Sequence, residues 1–86
     1  MSLAYDGGPN VEGVADARII GVVTDEVARV EVVNSAGRAD RVAITADRGF
    51  AYVVPPGELK RGIGPVAVVA FDSEGQVLDR QATGIG

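Results

Sequence analysis

Several residue types that carry most protein chemistry are missing from this chain. Cysteine, histidine and tryptophan are absent, and Lys60 is the only lysine. Without cysteine there is no disulfide, no thiolate nucleophile and no sulfur ligand for a metal. Without histidine the usual general base at neutral pH and the commonest transition-metal ligand are missing. We therefore predict a non-catalytic protein that has no catalytic residues and binds no cofactor or metal.

The charged residues are few and scattered. Eight basic residues face twelve acidic ones, which gives a net charge of −4 without any cluster of Lys and Arg. Phosphate neutralisation requires such a cluster, so nucleic acid is not an expected partner. No apolar run approaches the roughly 20 residues of a spanning helix, and the first residues do not have the pattern of a signal peptide. We expect no membrane insertion by this segment.

The apolar residues that are present favour a sheet. Fifteen residues are valine, and Phe50, Phe71, Tyr5 and Tyr52 are the only aromatics. A core of β-branched side chains is typical of strands, and 86 residues make one domain. The sequence therefore predicts a single all-β domain.

Two short segments predict hairpin turns. NSAGR (34–38) and DSEGQ (72–76) each lie between runs of alternating apolar residues. In both, an Asn or Asp can accept hydrogen bonds from the turn, and a Gly three residues later can adopt positive φ. A further tight turn is predicted at residues 47–49.

The remaining pattern predicts how the domain is organised. Residues 1–10 are turn formers without periodicity and are interpreted as a flexible N-terminal segment or a cloning remnant. The domain is expected over 11–83, with a fraying tail at 84–86. A strand over 17–24 is expected to be covered on both sides for part of its length. Residues 55–65, rich in Pro and Gly, are expected to cross between sheets.

Six or seven short, mostly antiparallel strands without any helical period indicate a small Ig-like β-sandwich. A small open β-barrel is the alternative. The second hairpin contains the Val66–Phe71 strand, which is rich in valine and would be hazardous as an uncovered edge. Self-association through a sheet edge is therefore one expected mode of binding.

The segments GVVTDEVARVEV (21–32), AGR (36–38), GFAYVVP (49–55) and VAVVAFD (66–72) resemble small Ig-like sandwich domains of actinobacterial proteins. The richness in Ala, Val, Gly and Arg is similar to that of proteins from high-GC genomes. The resemblance covers about two thirds of the chain and implies an accessory module of a largely uncharacterised, often exported or membrane-anchored protein. An extracytoplasmic location follows from the resemblance only, and no catalytic residue is carried over.

The leading functional expectation is a non-catalytic accessory module that binds a protein partner or acts as a structural spacer. The residues that we expect to contact a partner are Tyr52, Leu59, Lys60, Arg61 and Ile63. A carbohydrate-binding module is an alternative, because Phe50 and Tyr52 fall on one face of a strand and could stack on a sugar if both were exposed. A packed core is the competing explanation for these aromatics.

A carboxylate-dependent enzyme is the third alternative. It would require two acidic side chains converging in a pocket, one of them with a raised pKa. Asp25, Glu26 and Asp47 are the candidates, and their positions in predicted turns favour solvated surface residues instead. The acidic DSEG turn (72–75) lacks the ligand spacing of an EF-hand, so a calcium site is not predicted there.

Overall fold

The computed structural model describes residues 1–9, 15–54 and 62–83. Within these ranges the chain forms seven strands and no helix, and so no helix long and apolar enough to cross a membrane. The strands are β1 (Ser2–Pro9), β2 (Ala15–Val22), β3 (Arg29–Asn34), β4 (Ala39–Val42), β5 (Gly49–Val53), β6 (Pro65–Phe71) and β7 (Val77–Ala82).

The strands form two antiparallel sheets. Sheet A has three strands in the order β1-β2-β5, and sheet B has four in the order β4-β3-β6-β7. The chain passes between the sheets after β2, β4 and β5, so the predicted crossover between β5 and β6 is confirmed. The all-β class and the seven-stranded sandwich are confirmed as well, and the two sheets do not close into the alternative barrel.

The core lies between the inner faces of the sheets. Ile19 and Phe50 of sheet A pack against Val30, Val32 and Val68 of sheet B, and all five are buried. In β3, for example, every second residue is buried, as the period of two requires. As the valine-rich composition predicts, branched aliphatic side chains fill the thin interior between the sheets.

Gly21 on β2 is required by close packing. The ring of Phe50, its neighbour on β5, lies over it, and an added Cβ would come within 2.2 Å of that ring. Any side chain at position 21 would therefore displace Phe50, the one aromatic that is fully buried among the described residues.

Both predicted hairpin turns are confirmed. Gly37 and Gly75 have φ of 87° and 84°, and the side-chain oxygens of Asn34 and Asp72 each accept two backbone N–H bonds from their turn. Burial of Asn34 at 5% exposure is possible because those bonds satisfy its side-chain oxygen.

The turn predicted at 47–49 is also present, and it repeats the geometry of the two hairpins. The Arg48 N–H donates to Thr45 O at 3.0 Å and the Thr45 N–H donates to Gly49 O at 2.8 Å. Arg48 stands where the hairpins have glycine and adopts φ of 66°. This turn connects β4 of sheet B to β5 of sheet A, so it joins the two sheets rather than two neighbouring strands.

The interpretation of the N-terminal segment as flexible is wrong for residues 2–9. These residues form β1, which pairs with β2 from Ser2 opposite Val22 to Pro9 opposite Ala15. Met1 and Leu3 pack against the core. Turn-forming residue types did not prevent a strand here, because pairing with β2 and burial of these two side chains outweigh local propensity. Residues 10–14 and 84–86, and the expectations placed on them, lie outside the described residues.

Two further expectations about strands are corrected. β2 is covered on one side only, since Ile20 and Val22 on its outer side are 41% and 56% exposed. The Val66–Phe71 strand is no edge, because β6 lies between β3 and β7. Its outward Ala67 and Val69 are nevertheless buried beneath the side chains of the neighbouring strands.

Candidate functional site

The aromatic pair that suggested a sugar-binding platform belongs to the core. Phe50 is 3% exposed and Tyr52 is half-buried against the core cluster, so two coplanar exposed rings are not present. The hydroxyl of Tyr52 reaches the rim and donates to Asp40 Oδ2 at 2.9 Å. The pair of exposed rings that the carbohydrate-binding alternative requires is therefore not provided by these two residues, because the buried ring of Phe50 has no face left to stack on a sugar.

Two of the five residues predicted to contact a partner, Tyr52 and Ile63, lie among the described residues. Tyr52 is half-buried and its hydroxyl donates to Asp40 at the rim of the sandwich. Ile63 is half-buried just before β6. Leu59, Lys60 and Arg61 lie outside the described residues. The predicted patch therefore has no geometry from which binding can be argued.

The candidate acidic residues lie on exposed turns. The pKa of Glu26 is lowered by hydrogen bonds from its own backbone N–H and from the Thr24 hydroxyl. The pKa of Asp47 is lowered mainly by the hydroxyl of Thr45, which donates to its carboxylate. A general acid at neutral pH requires a raised pKa, so both shifts run in the wrong direction for that role.

One cleft opens at the end of sheet B, with a volume of about 320 Å³. It lies where β3 begins, β4 ends and the β6–β7 turn projects. The residues lining it are Ala28, Arg29, Arg41, Val42, Ala43, Ile44, Asp72, Ser73 and Gly75.

Two of the polar side chains that line this cleft, those of Arg29 and Asp72, already have partners within the chain. Arg29 stacks over Phe71 with its guanidinium carbon 4.2 Å from the ring centre, and its Nε lies 2.9 Å from Glu31 Oε2. Asp72, the only carboxylate in the lining, accepts the N–H groups of its own turn. Two converging carboxylates are not found here, and the described residues contain no group of three or more Asp and Glu placed to hold a metal.

Arg48 ties together two of the connections between the sheets. Its Nη2 donates to Thr24 O at 2.6 Å and also to Val27 O, both in the connection from β2 to β3. Its own carbonyl accepts the Val23 N–H at 2.9 Å, and its Nε lies 3.8 Å from Asp25 Oδ1. These contacts give Arg48 a structural role at one end of the sandwich.

Both edge strands of sheet B carry an inward-facing carboxylate. Asp40 on β4 accepts from Tyr52 and, at 3.2 and 3.3 Å, from the Arg38 guanidinium. Asp79 on β7 lies 3.4 Å from the N-terminal ammonium and accepts from Gln81. Inward-pointing charges on edge strands oppose pairing with a further strand. Sheet B is therefore poorly suited to self-association through its edges.

The outer face of sheet A is the most unusual surface of the described chain. Strand register places five apolar side chains together on it, open to solvent, and we call this set the apolar face. Its members are Ala4, Ile20, Val22, Ala51 and Val53.

The apolar face is exposed at its centre as well as at its margins. Ile20, at the centre between Ala4 and Ala51, is 41% exposed, and Val53 on β5 is 58% exposed. Gly49 and Ser2 flank Val22 without adding bulk, and Arg18 closes the opposite end of β2. Single exposed apolar residues need no explanation, whereas a contiguous set on one sheet face is a candidate contact surface.

The sequence of β2 is apolar on both sides and does not show which side is covered. Ile20 and Val22 alternate with the buried Ile19 and Gly21, and this continuous apolar run is typical of a strand buried on both sides. Because β2 is buried on one side only, the second apolar stripe is exposed.

Comparison of the chain with protein-family models, with curated proteins and with solved structures found no match.

Proposed function

We propose that the chain is a non-catalytic Ig-like module that binds a protein partner through the apolar face. The observation that carries this proposal is the contiguous exposure of Ile20, Val22 and Val53 on one sheet. A flat sheet face of this kind is suited to packing against another sheet or a broad protein surface. The cleft at the end of sheet B, whose one carboxylate already accepts hydrogen bonds from its own turn, offers no comparable argument for catalysis.

The strand order supports the Ig-like assignment. In the constant-type immunoglobulin sandwich, the first, second, fifth and fourth strands form one sheet and the third, sixth and seventh form the other. The present order is the same except that β4 pairs with β3 instead of β5. Moving one edge strand between sheets leaves the core strands β2, β3, β5 and β6 in the same arrangement.

A structural spacer would need no exposed apolar face, and cross-linking separates these two roles. A photoreactive benzophenone amino acid is placed at Val53 in the full-length protein, which is expressed in its own cells. The matched control carries it at Val77, which is 59% exposed against 58% for Val53 but belongs to sheet B.

We expect the probe at position 53 to form a cross-link to one definite protein surface, mapped by mass spectrometry, and the added substitution Val22→Asp to abolish it. The probe at position 77 is expected to give no such product. Equal products from both positions, or none from either, would contradict a binding role for the apolar face.

A further inference from the structure

We propose that the free edge of β5 binds an extended segment of a partner protein, which adds to sheet A as a further strand. This surface is the edge of the sheet and not the apolar face, so the inference does not depend on the proposed function. Three features of β5 support it: its unpaired backbone groups, a sequence without charge or proline, and the side chains that lie beside the edge.

Every second residue of β5 directs its backbone groups away from β2. The Val23 N–H donates to Arg48 O at 2.9 Å, and the register of β2 and β5 continues from this pair. Bonded and non-bonded pairs alternate along an antiparallel ladder, so Gly49, Ala51 and Val53 do not bond to β2. Their N–H and C=O groups therefore point toward the open edge of the sheet.

Gly49 finds partners for these groups within the chain, whereas Ala51 and Val53 do not. The Gly49 carbonyl accepts the Thr45 N–H at 2.8 Å, and the Gly49 N–H donates to Thr45 Oγ1 at 3.3 Å. Among the described residues, no backbone group bonds to the outward N–H and C=O of Ala51 and Val53, and both residues are exposed. Two donors and two acceptors thus remain, at the spacing that an added strand supplies.

The edge of β5 also lacks the features that prevent strand pairing. Natural edge strands are protected by charged side chains, proline or bulges. Each edge of sheet B carries an inward carboxylate, Asp40 or Asp79, and β1 contains Asp6 and ends at Pro9. The sequence of β5, GFAYV, has no charge and no proline, and its register with β2 has no bulge. Of the four edge strands in the described sheets, β5 is therefore the one open to a further strand.

The side chains along β5 define the chemistry of the partner segment. Residues of the added strand opposite Ala51 and Val53 lie on the outer side of sheet A, beside these apolar side chains. The residue between them points inward beside Tyr52, whose hydroxyl donates to Asp40 Oδ2. A carboxylate in this position would be repelled by Asp40, whereas a hydroxyl group can donate to it. The segment that fits has apolar, β-branched residues on either side of a small polar one.

A second copy of β5 fits this edge less well than a single extended segment. Since only Ala51 and Val53 have free groups, two copies would have to pair about Tyr52, with each Ala51 opposite the partner's Val53. That axis brings Asp40 and the rest of β4, which contacts β5 across the sandwich, against the same elements of the other copy. The crowding and the like charges oppose this pairing. We therefore assign the edge to a different protein.

NMR titration of the whole chain with a synthetic peptide tests this inference. The probe is acetyl-Thr-Val-Thr-Val-Thr-amide, and the matched control is the same peptide methylated on the backbone nitrogens of both valines. The probe is expected to shift the amide signals of Ala51 and Val53 and to slow their hydrogen exchange, with no effect at β7. The control cannot donate to the free carbonyls and is expected to have no effect. Equal effects of the two peptides, or none from either, would overturn strand addition.

A change in the probe tests the inward position. Replacing the central threonine of the peptide by glutamate is expected to weaken binding, because its carboxylate would lie beside that of Asp40. Unchanged binding of the glutamate peptide would overturn the placement of this residue beside Asp40.

Proline substitutions in the protein locate the donors. Val53→Pro removes an N–H that points to the edge, where strands accept proline, and is expected to lose binding of the probe. The matched control is Arg80→Pro on β7. The Thr83 N–H donates to Val66 O, so alternation along the β6–β7 register turns the Arg80 N–H outward as well.

Arg80→Pro is expected to bind the probe like the wild type, and thermal unfolding of both proline variants monitors the fold. Binding retained by a folded Val53→Pro, or lost equally in both folded variants, would overturn the assignment of the site to β5.

The outcomes also separate this inference from the proposed function and from a second copy. Slowed exchange at Ala51 and Val53 in concentrated protein without peptide would make a second copy the occupant and overturn the partner segment. A cross-link from position 53 that Val22→Asp abolishes, with no probe binding at β5, would support the apolar face and overturn strand addition. Probe binding without such a cross-link would do the reverse.

Discussion

At the scale of single residues, Arg48 combines an unfavourable backbone conformation with stabilising side-chain hydrogen bonds. Its φ of 66° lies in the left-handed region, which costs a residue other than glycine roughly 1–2 kcal/mol. Its guanidinium donates to the carbonyls of Thr24 and Val27, which offsets that cost. The side chain therefore explains why arginine is found at a position where the two similar turns have glycine.

Substitutions at Arg48 are expected to separate the cost of its positive φ from the stabilisation by its side-chain hydrogen bonds. Arg48→Ala loses the hydrogen bonds and keeps the unfavourable φ, so we expect it to lower the free energy of unfolding by about 2 kcal/mol. Arg48→Gly loses the same bonds but relieves the backbone, so the loss is expected to be about 1 kcal/mol smaller. Urea denaturation measures both. A glycine variant less stable than the alanine variant would show that the backbone conformation is not the source of strain.

Asp79, on the edge strand β7, makes a pH-dependent contribution to the stability of the fold. Its pKa is lowered first by the hydrogen bond from Gln81 and then by the N-terminal ammonium. A carboxylate whose pKa is lower when folded stabilises the fold above its unfolded pKa of about 3.9. That stability is lost as the pH falls through the folded pKa.

We therefore expect Asp79→Asn to melt below the wild type at pH about 6 and the gap to close as the pH falls below about 4. Thermal melting of the two proteins across this range measures the effect. Since Asp79 is over one-third exposed, the difference should be small. A gap that stays constant with pH would mean that the charge of Asp79 is not what stabilises this edge.

At the scale of the elements, three turns of one geometry organise the strands. Two close the β3–β4 and β6–β7 hairpins within sheet B, and the third leads from sheet B to sheet A. Each has a residue at its fourth position with positive φ, namely Gly37, Arg48 or Gly75. The same hydrogen-bonding pattern thus serves both a hairpin and a corner of the sandwich.

The hairpin glycines are expected to stabilise the fold only by allowing positive φ, and not through packing. No atom lies within 4 Å of a Cβ built at Gly37, so Gly37→Ala is expected to lower the free energy of unfolding by about 1 kcal/mol through its φ of 87°. Gly49→Ala is the matched control, because position 49 has no positive φ and has space for a methyl group. Chemical denaturation of dilute protein compares them. Equal losses would refute the conformational explanation.

These elements show what local sequence determines. The Asn34 and Asp72 turns were predictable because side-chain oxygen, glycine and flanking alternation act within five residues. The strand β1 was not predictable, because its Gly- and Pro-containing sequence becomes a strand only through pairing with β2. The apolar face was not predictable either, since an apolar run reports the hydrophobicity of both sides of a strand and not whether a second layer covers each side.

At the scale of the whole molecule, the two outer faces of the sandwich differ in character. Sheet B presents Arg29, Glu31, Arg41 and Arg80 on its outer side, and these long side chains lie beside Val69 and Phe71. Sheet A presents the apolar face, with no such cover across its centre. The outer side of sheet B is therefore largely lined by long charged side chains, with Leu78 and Val77 of β7 exposed, whereas on sheet A the exposed apolar side chains are contiguous, so covering them would be favourable.

The most direct test of this account measures how well solvent reaches the two outer faces. A soluble paramagnetic agent broadens the NMR signals of exposed methyl groups in dilute protein. The methyls of Ile20, Val22 and Val53 should be broadened strongly, as those of the exposed control Val77 are. Methyls of the apolar face that stay sharp while those of Val77 are broadened would contradict the account.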